Sequence, residues 1–311
     1  MPEFDLSTKL GKLELKNPVI AASGTFGYGL EYEDVCPPED IGAVVTKGIS
    51  ILPREGNPPP RIWETPAGMI NAIGLENVGV DRFIEEKLPP LVERGATVIA
   101  NFFGSTVEEY ADAAGRLSRA EGLSAIEANV SCPNIGTKQG MHFGSDPAVA
   151  AQVTRAVRNS TDLFLIVKLT PQVRDIAEVA CAVEEAGADA ISLINTIPAM
   201  AVDIKARRPR LAGVTGGLSG PAIRPVAVRF VWEAACAVSM PVIGIGGIAS
   251  AEDALEFIIA GAKAVQVGTG IFTKPGLPLE IIGGIRSFLG EQEISSVSEI
   301  VGSLITEPEE R

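Results

Sequence analysis

Two carboxamides and a thiol fall together at Asn129-Val130-Ser131-Cys132-Pro133-Asn134, directly after the run Ser124-Ala125-Ile126-Glu127-Ala128. Pro133 has no N–H to give a strand ladder, so it turns the chain out of the run and leaves the cluster at a strand end. A carboxamide offers a donor and an acceptor in one plane. A thiol, with an unperturbed pKa of roughly 8.5, exchanges a proton close to neutrality. The set suits a neutral, planar, hydrogen-bonding substrate that must lose a proton. In isolation the segment reads more readily as a structural cysteine beside turn-forming asparagines; the rest of the chain reverses that balance toward chemistry.

The elements that must position these groups alternate between strand and helix. Short runs of Val, Ile, Ala and Leu at 18–23, 43–48, 97–102, 124–131, 163–169, 190–195, 241–245 and 264–268 have the length of strands buried on both faces. Amphipathic stretches such as 107–114 and 175–180 separate them, and Gly95-Ala96, Gly187-Ala188 and Gly261-Ala262 stop helices ahead of the next strand. Eight such strands predict an α/β fold, a single-domain (β/α)8 TIM barrel over residues 1–311, in preference to a doubly wound open sheet. Residues 1–17 alternate around Gly11 as an N-terminal hairpin that would plug the barrel's bottom. The long connections 49–79, 133–147 and 197–221 all follow strands and so crowd the C-terminal rim, where such barrels do their chemistry. The segment 133–147, with Gly136, Gly140 and Gly144 as hinges, reads as an active-site lid.

Polar groups recur at the strand ends. The seventh ends in Gly244-Ile245-Gly246-Gly247 ahead of a helix opening Ala249-Ser250-Ala251-Glu252-Asp253, and the eighth in Gly268-Thr269-Gly270. Glycine turns expose backbone N–H groups, and at these two strands of a barrel they form the usual phosphate cradle. Lys47, Asn101, Asn129, Lys168, Asn195 and Thr196 stand where ordinary packing would place hydrocarbon. Buried amines and amides are costly unless paired, so a polar ligand is expected inside the rim. Both charged members are cationic and no inward carboxylate cluster is expected beside them, which suits an electron-rich cofactor edge and a neutral or carboxylate-bearing substrate.

Bulk properties narrow the classes. With 26 basic and 39 acidic residues the net charge is −13, which opposes nucleic acid and anionic lipid. No apolar run of membrane-spanning length occurs, and Met1-Pro2-Glu3-Phe4-Asp5 lacks the basic and apolar parts of a signal peptide, so a cytoplasmic location is expected. Cys36, Cys132, Cys181 and Cys236 lie too far apart for a disulfide framework or an iron–sulfur site, and His142 is the only histidine, so no metal is expected. Cys36, Cys181 and Cys236 read as packing residues.

The motifs Ala22-Ser23-Gly24-Thr25, Thr46-Lys47-Gly48, Asn71-Ala72-Ile73-Gly74-Leu75, the Asn129–Asn134 cluster, Lys168-Leu169-Thr170-Pro171, Ile194-Asn195-Thr196, Gly216-Gly217-Leu218-Ser219-Gly220-Pro221, Gly246-Gly247 and Gly268-Thr269 occur in an order that closely resembles the dihydroorotate dehydrogenases, flavoenzymes of pyrimidine synthesis, over essentially the whole chain. The resemblance implies FMN, one per chain, with its phosphate on Gly246, Gly247, Gly268 and Thr269 and the remainder touched by Ser23, Lys47, Gly48, Asn101, Asn129, Lys168, Ile194 and Gly220. It implies dihydroorotate held by Lys47, Asn71, Ala72, Ile73, Gly74, Leu75, Asn129, Asn134, Asn195 and Thr196. Cys132 would be the base that removes the C5 proton while hydride leaves C6 for the flavin, and Lys168 would stabilise negative charge on the reduced flavin. A Cys132 nucleophile partnered by His142 is the rival role for the thiol.

A cysteine base and no membrane-binding N-terminal extension resemble the soluble rather than the quinone-linked enzymes. The segments 141–147 and 201–205 resemble the heteromeric, NAD-linked class 1B. That class implies a homodimer of this chain at the centre of an αβ heterotetramer, each copy served by an electron-transfer subunit carrying FAD and a 2Fe–2S cluster. Ile197-Pro198-Ala199 and Phe102-Phe103 depart from the family pattern without touching a catalytic position. The alternatives are a fumarate-linked class 1A enzyme, a dihydropyrimidine dehydrogenase-like flavoenzyme, which should carry His in place of Asn134, and a flavin-free phosphate-binding lyase or isomerase. A non-catalytic barrel is opposed by the intact set Lys47, Cys132 and Lys168.

Overall fold

The computed structural model of the chain describes residues 4–131 and 143–306. Each expected apolar run contains a strand: β1 Val19–Ala21, β2 Ala43–Val45, β3 Val98–Phe102, β4 Ala125–Asn129, β5 Phe164–Lys168, β6 Ala190–Leu193, β7 Val242–Ile245 and β8 Ala264–Val267. They pair in parallel and in sequence order, and β8 returns to β1 to close a barrel, which excludes the open sheet. Nearly every residue of these strands is buried because one face meets the barrel interior and the other the helices.

Helices fill the connections where side-chain caps start them. Thr106 accepts from the Glu109 N–H to open Val107–Leu117, Asp146 opens Pro147–Arg158, and Asp175 opens Ile176–Glu185. Gly95, Gly187 and Gly261 take φ of 74°, 99° and 120°, the left-handed conformation that ends a helix.

The N-terminal strands Thr8–Leu10 and Leu13–Leu15 form an antiparallel hairpin. Leu10, Leu13 and Leu15 pack with Ile20, Val45, Ile99, Phe164, Ile166 and Ile243 and seal the bottom of the barrel. Two of the long connections do something the sequence pattern did not announce. Ile62–Thr65 and Gly68–Asn71 from one pair with Gly216–Ser219 and Ile197–Ala199 from the other, in a four-stranded antiparallel sheet over the rim. The Ile197-Pro198-Ala199 departure is thus one edge of that sheet. Phe102 and Phe103 are fully buried, Phe102 edge-on to Tyr110 with ring centroids 6.0 Å apart.

Cys36 is buried, and burial pushes its thiol up to about 11. Cys181 is half-buried, but Cys236 is exposed, contrary to the expectation that it packs; it lies near the end of Arg224–Ala237, on the solvent side. No helix among the described residues is long and apolar enough to cross a membrane. No group of three or more His, Cys, Asp or Glu among the described residues is arranged to hold a metal ion.

Candidate active site

A cavity of about 370 Å³ opens at the C-terminal ends of the barrel strands, beneath the four-stranded rim sheet. The structure brings most of the expected residues to it. On the glycine side stand Gly220, Gly246, Gly247, Gly268 and Thr269; along the strand ends stand Ser23, Lys47, Gly48, Asn101, Asn129, Lys168 and Ile194. Asn71, Ile73 and Leu75 descend from the rim sheet, and Asn195 and Thr196 close the remaining side. Ala72 and Gly74 do not line it. The Ala72 N–H donates to the Arg61 carbonyl at 2.8 Å, and Gly74 sits against Asn57. Cys132, Asn134, His142 and most of the expected lid lie outside the described residues.

The glycine wall is built for close approach. Gly246 and Gly247 take φ of 138° and 73°; a Cβ on the first would lie 2.7 Å from Ala227 Cβ, and on the second 2.7 Å from the Gly220 carbonyl. The backbone therefore faces the cavity bare of side chains, as a phosphate requires. The helix that follows contributes less than its sequence implied. Ser250 caps Ala251–Ile259 by accepting from Asp253 N–H, and Asp253 itself accepts from the Ala249 N–H at 2.8 Å while ion-pairing with Arg224. Those amide donors are spent on the helix's own side chains, so the backbone that lines the cavity here is that of the two glycine turns and Gly270, at the start of the short helix Gly270–Thr273.

Beneath the cavity floor lies a group that the sequence pattern does not single out. Glu127, in the middle of β4, is fully buried and points inward. Its Oε1 accepts from Asn101 Nδ2 at 2.6 Å; its Oε2 accepts from Ser192 Oγ at 2.8 Å and Gln266 Nε2 at 2.6 Å. Lys168 Nζ stands 4.0 Å from Oε1. No cluster of carboxylates was expected beside the lysines, but this single inward one was not foreseen. A buried ammonium and a set of buried amides need an anionic acceptor, and β4 supplies it. The signal available was period: Ala125, Glu127 and Asn129 alternate onto one face of a strand, and Asn129 had already been placed inside.

At the rim a second cation meets a second acid. Lys47 Nζ lies 3.6 Å from Glu76 Oε1, and Arg61 holds Glu76 Oε2 at 2.6 Å. The Arg61 guanidinium, and after it Lys47, keep the Glu76 carboxyl below the usual carboxylate range. Glu76 lines the cavity and was also passed over, since nothing in its local sequence marks a loop acid as a partner of Lys47. Around the thiol segment, Asn129 Oδ1 accepts from Ser131 Oγ at 2.5 Å, Asn195 Nδ2 donates to Ser131 Oγ, and Tyr110 OH donates to the Asn129 carbonyl at 2.7 Å. These bonds hold the last described residues before Cys132 in a fixed turn.

The arrangement combines a glycine wall for an anion, a buried cation on the floor, and carboxamides set to read a planar polar ring. A family model described as dihydroorotate dehydrogenase matches residues 5–289. The chain is 56% identical over 300 residues to a protein of Pelobacter propionicus, covering 96% of this chain and 98% of that one. It is 56% identical over 299 residues to one of Trichlorobacter lovleyi, with 96% and 98% covered. With one of Geotalea uraniireducens it shares 54% identity over 306 residues, 98% of this chain and 100% of the other. All three carry the name dihydroorotate dehydrogenase B (NAD(+)), catalytic subunit.

Proposed function

The chain belongs to the dihydroorotate dehydrogenase family, and from that premise we propose that it is the catalytic subunit of an NAD+-linked enzyme oxidising (S)-dihydroorotate to orotate in pyrimidine (UMP) biosynthesis, with FMN in the cavity. The observation that carries this reading is the union in one cavity of a bare glycine wall, the buried Lys168 ammonium and the Asn71, Asn129 and Asn195 carboxamides. The residues fit FMN: Gly246, Gly247, Gly268 and Thr269 would hold its phosphate, and Lys168, Gly48 and Asn101 would contact its ring system. Asn101 Oδ1, buried and without a hydrogen-bond partner among the described residues, supports a ligand that brings a donor. When bound, FMN supplies the acceptor for the hydride that leaves C6 of the substrate.

This chain's own residues do the rest. Asn71, Asn129, Asn134, Asn195 and Thr196 match the alternating C=O and N–H groups of a pyrimidine ring. Lys47, at the half-exposed rim, takes the substrate carboxylate. Cys132 Sγ takes the C5 proton, and Lys168 offsets the negative charge that the cofactor gains. The glycine turn at Gly246-Gly247 ends a barrel strand instead of opening a dinucleotide-binding unit, so NAD+ is reduced elsewhere. A partner subunit with FAD and a 2Fe–2S cluster receives the electrons, and the relatives' designation as catalytic subunits supports one. A central homodimer within an αβ heterotetramer and a cytoplasmic location complete the reading.

Anaerobic addition of dihydroorotate to the purified yellow protein is expected to bleach it. Cys132→Ala should still bind orotate but bleach about 10²–10⁴-fold more slowly, the usual cost of losing a general base. The isolated chain should turn over with dyes but not with NAD+. A colourless protein, or efficient NAD+ reduction without a partner, would refute the assignment; brisk turnover with fumarate would move it to the homodimeric class.

A further inference from the structure

Glu127 touches neither the cavity surface nor any group assigned to substrate, yet residues of five barrel strands converge through it. Asn101 on β3, Lys168 on β5, Ser192 on β6 and Gln266 on β8 all turn toward its carboxylate from β4. Three of these partners are neutral donors, and Glu127 accepts from each. The two amides show the strength of the arrangement. Asn101 and Gln266 both direct nitrogen to Glu127, and the oxygen of each is left buried without a partner among the described residues. A charge-assisted bond is worth more than a neutral one, so the carboxylate decides which way each amide faces.

Two of the four partners, Asn101 and Lys168, line the cavity, while Ser192, Gln266 and Glu127 do not. The Asn101 oxygen that Glu127 turns away lies 2.9 Å from where a side chain on Gly48 would begin, so it is directed at the wall next to the proposed ring site. Resting on the FMN reading above, we propose that Glu127 is a positioning residue for the flavin, acting through Lys168 and Asn101. It draws the Lys168 ammonium down to the floor and partly offsets its charge, and it fixes the Asn101 amide with its acceptor turned away from the carboxylate, toward the Gly48 wall. The consequence is electrostatic. A flavin gains negative charge on reduction, so a carboxylate beside Lys168 holds the reduction potential below what the lysine alone would set.

The test is Glu127→Gln in the holoprotein, read by the midpoint potential of the bound flavin and by FMN affinity after stripping and titration. Removing the charge is expected to favour the reduced over the oxidised flavin about tenfold, a rise of ~30 mV for a two-electron couple. Oxidised FMN should bind about tenfold more weakly, because a glutamine at 127 offers its own N–H where Asn101 now donates. Glu127→Asp keeps the charge and should return the potential most of the way. Ser192→Ala serves where Glu127→Gln does not fold. It removes one donor, leaves the carboxylate less compensated, and should shift the reduced-to-oxidised ratio roughly threefold toward oxidised flavin, a lower potential. A Glu127→Gln or Ser192→Ala protein that melts earlier but keeps wild-type potential and FMN affinity would show a purely structural hub and overturn the proposal. A wild-type chain that binds no FMN would instead overturn the functional reading on which it rests.

Discussion

One pleat separates hydrocarbon from charge inside this barrel. Ile99, Ala125, Ile166, Ala190 and Ala264 face Leu10, Leu13 and Leu15 of the hairpin; two residues further along the same strands stand Asn101, Glu127, Lys168, Ser192 and Gln266. Both halves are fully buried, so burial alone does not distinguish them. The lower half is closed by contact area, which is non-directional and tolerates exchange of like for like. The upper half is closed by matched donors and acceptors, where loss of one member leaves the others unpaired. The lower half therefore holds through contact area, and the upper half through pairing.

The sharpest way to break that contrast is Lys168→Met. It leaves the buried Glu127 carboxylate without its cation, and losing one partner of a buried pair costs about 3–5 kcal/mol. Urea unfolding of the FMN-free protein should show that loss, and the double variant with Glu127→Gln should recover part of it. If the double variant is as unstable as the sum of the singles, the two groups do not act as a pair.

Leu10→Ala probes the lower half. The residue is fully buried in the hairpin plug, and truncation should cost about 2–5 kcal/mol through lost contact and a cavity. FMN affinity of the folded protein should be unchanged, since the polar layer lies between the plug and the ligand. A coupled loss of affinity would show that the two halves are not independent.

How each half could be read from sequence follows from the same contrast. The eight strands and the hairpin are legible because hydrocarbon patterning is local: a run of Val, Ile and Ala announces itself within a few residues. The glycine wall and the two lysines are legible because each is unusual where it stands. Glu127 is not, because one acid inside an apolar run looks tolerable until the partners on β3, β5, β6 and β8 are brought around it. The rim sheet escapes for another reason. Its strands Ile197–Ala199 and Gly216–Ser219 contain Pro and Gly, poor strand formers, and Gly216–Ser219 pairs with Gly68–Asn71, more than a hundred positions away. Cys132 and Asn134 were legible as chemistry, but their placement lies outside the described residues.

Gly247→Val should have a smaller global effect and a specific local one. Its φ of 73° and the nearby Gly220 carbonyl exclude a branched side chain without backbone movement, at a cost of roughly 1–3 kcal/mol. FMN retention should fall more than stability does, measured by flavin released on gel filtration. Full occupancy in the variant would remove the phosphate from this wall.

The smallest effect on stability is expected at the rim, from Glu76→Gln. Side-chain exposure of 25% for Lys47 and 38% for Glu76 leaves the pair open to solvent, so its loss should cost less than about 1 kcal/mol. Its pH dependence has a definite sign. The Glu76 carboxyl is held below its ordinary value by Arg61 and Lys47, so its contribution is present above the ordinary carboxylate range and is lost as pH falls through the lowered folded value. Wild type and variant should therefore converge in stability at acid pH and differ slightly at neutral pH. Function should move the other way from the floor variants. Under the proposed function Glu76 would compete for the Lys47 ammonium that takes the substrate carboxylate, so Glu76→Gln should tighten orotate binding a few-fold and leave the flavin potential unchanged. If the potential shifts instead, rim and floor share one electrostatic system, and the distinction between a lysine fixed for the cofactor and a lysine held ready for the substrate fails.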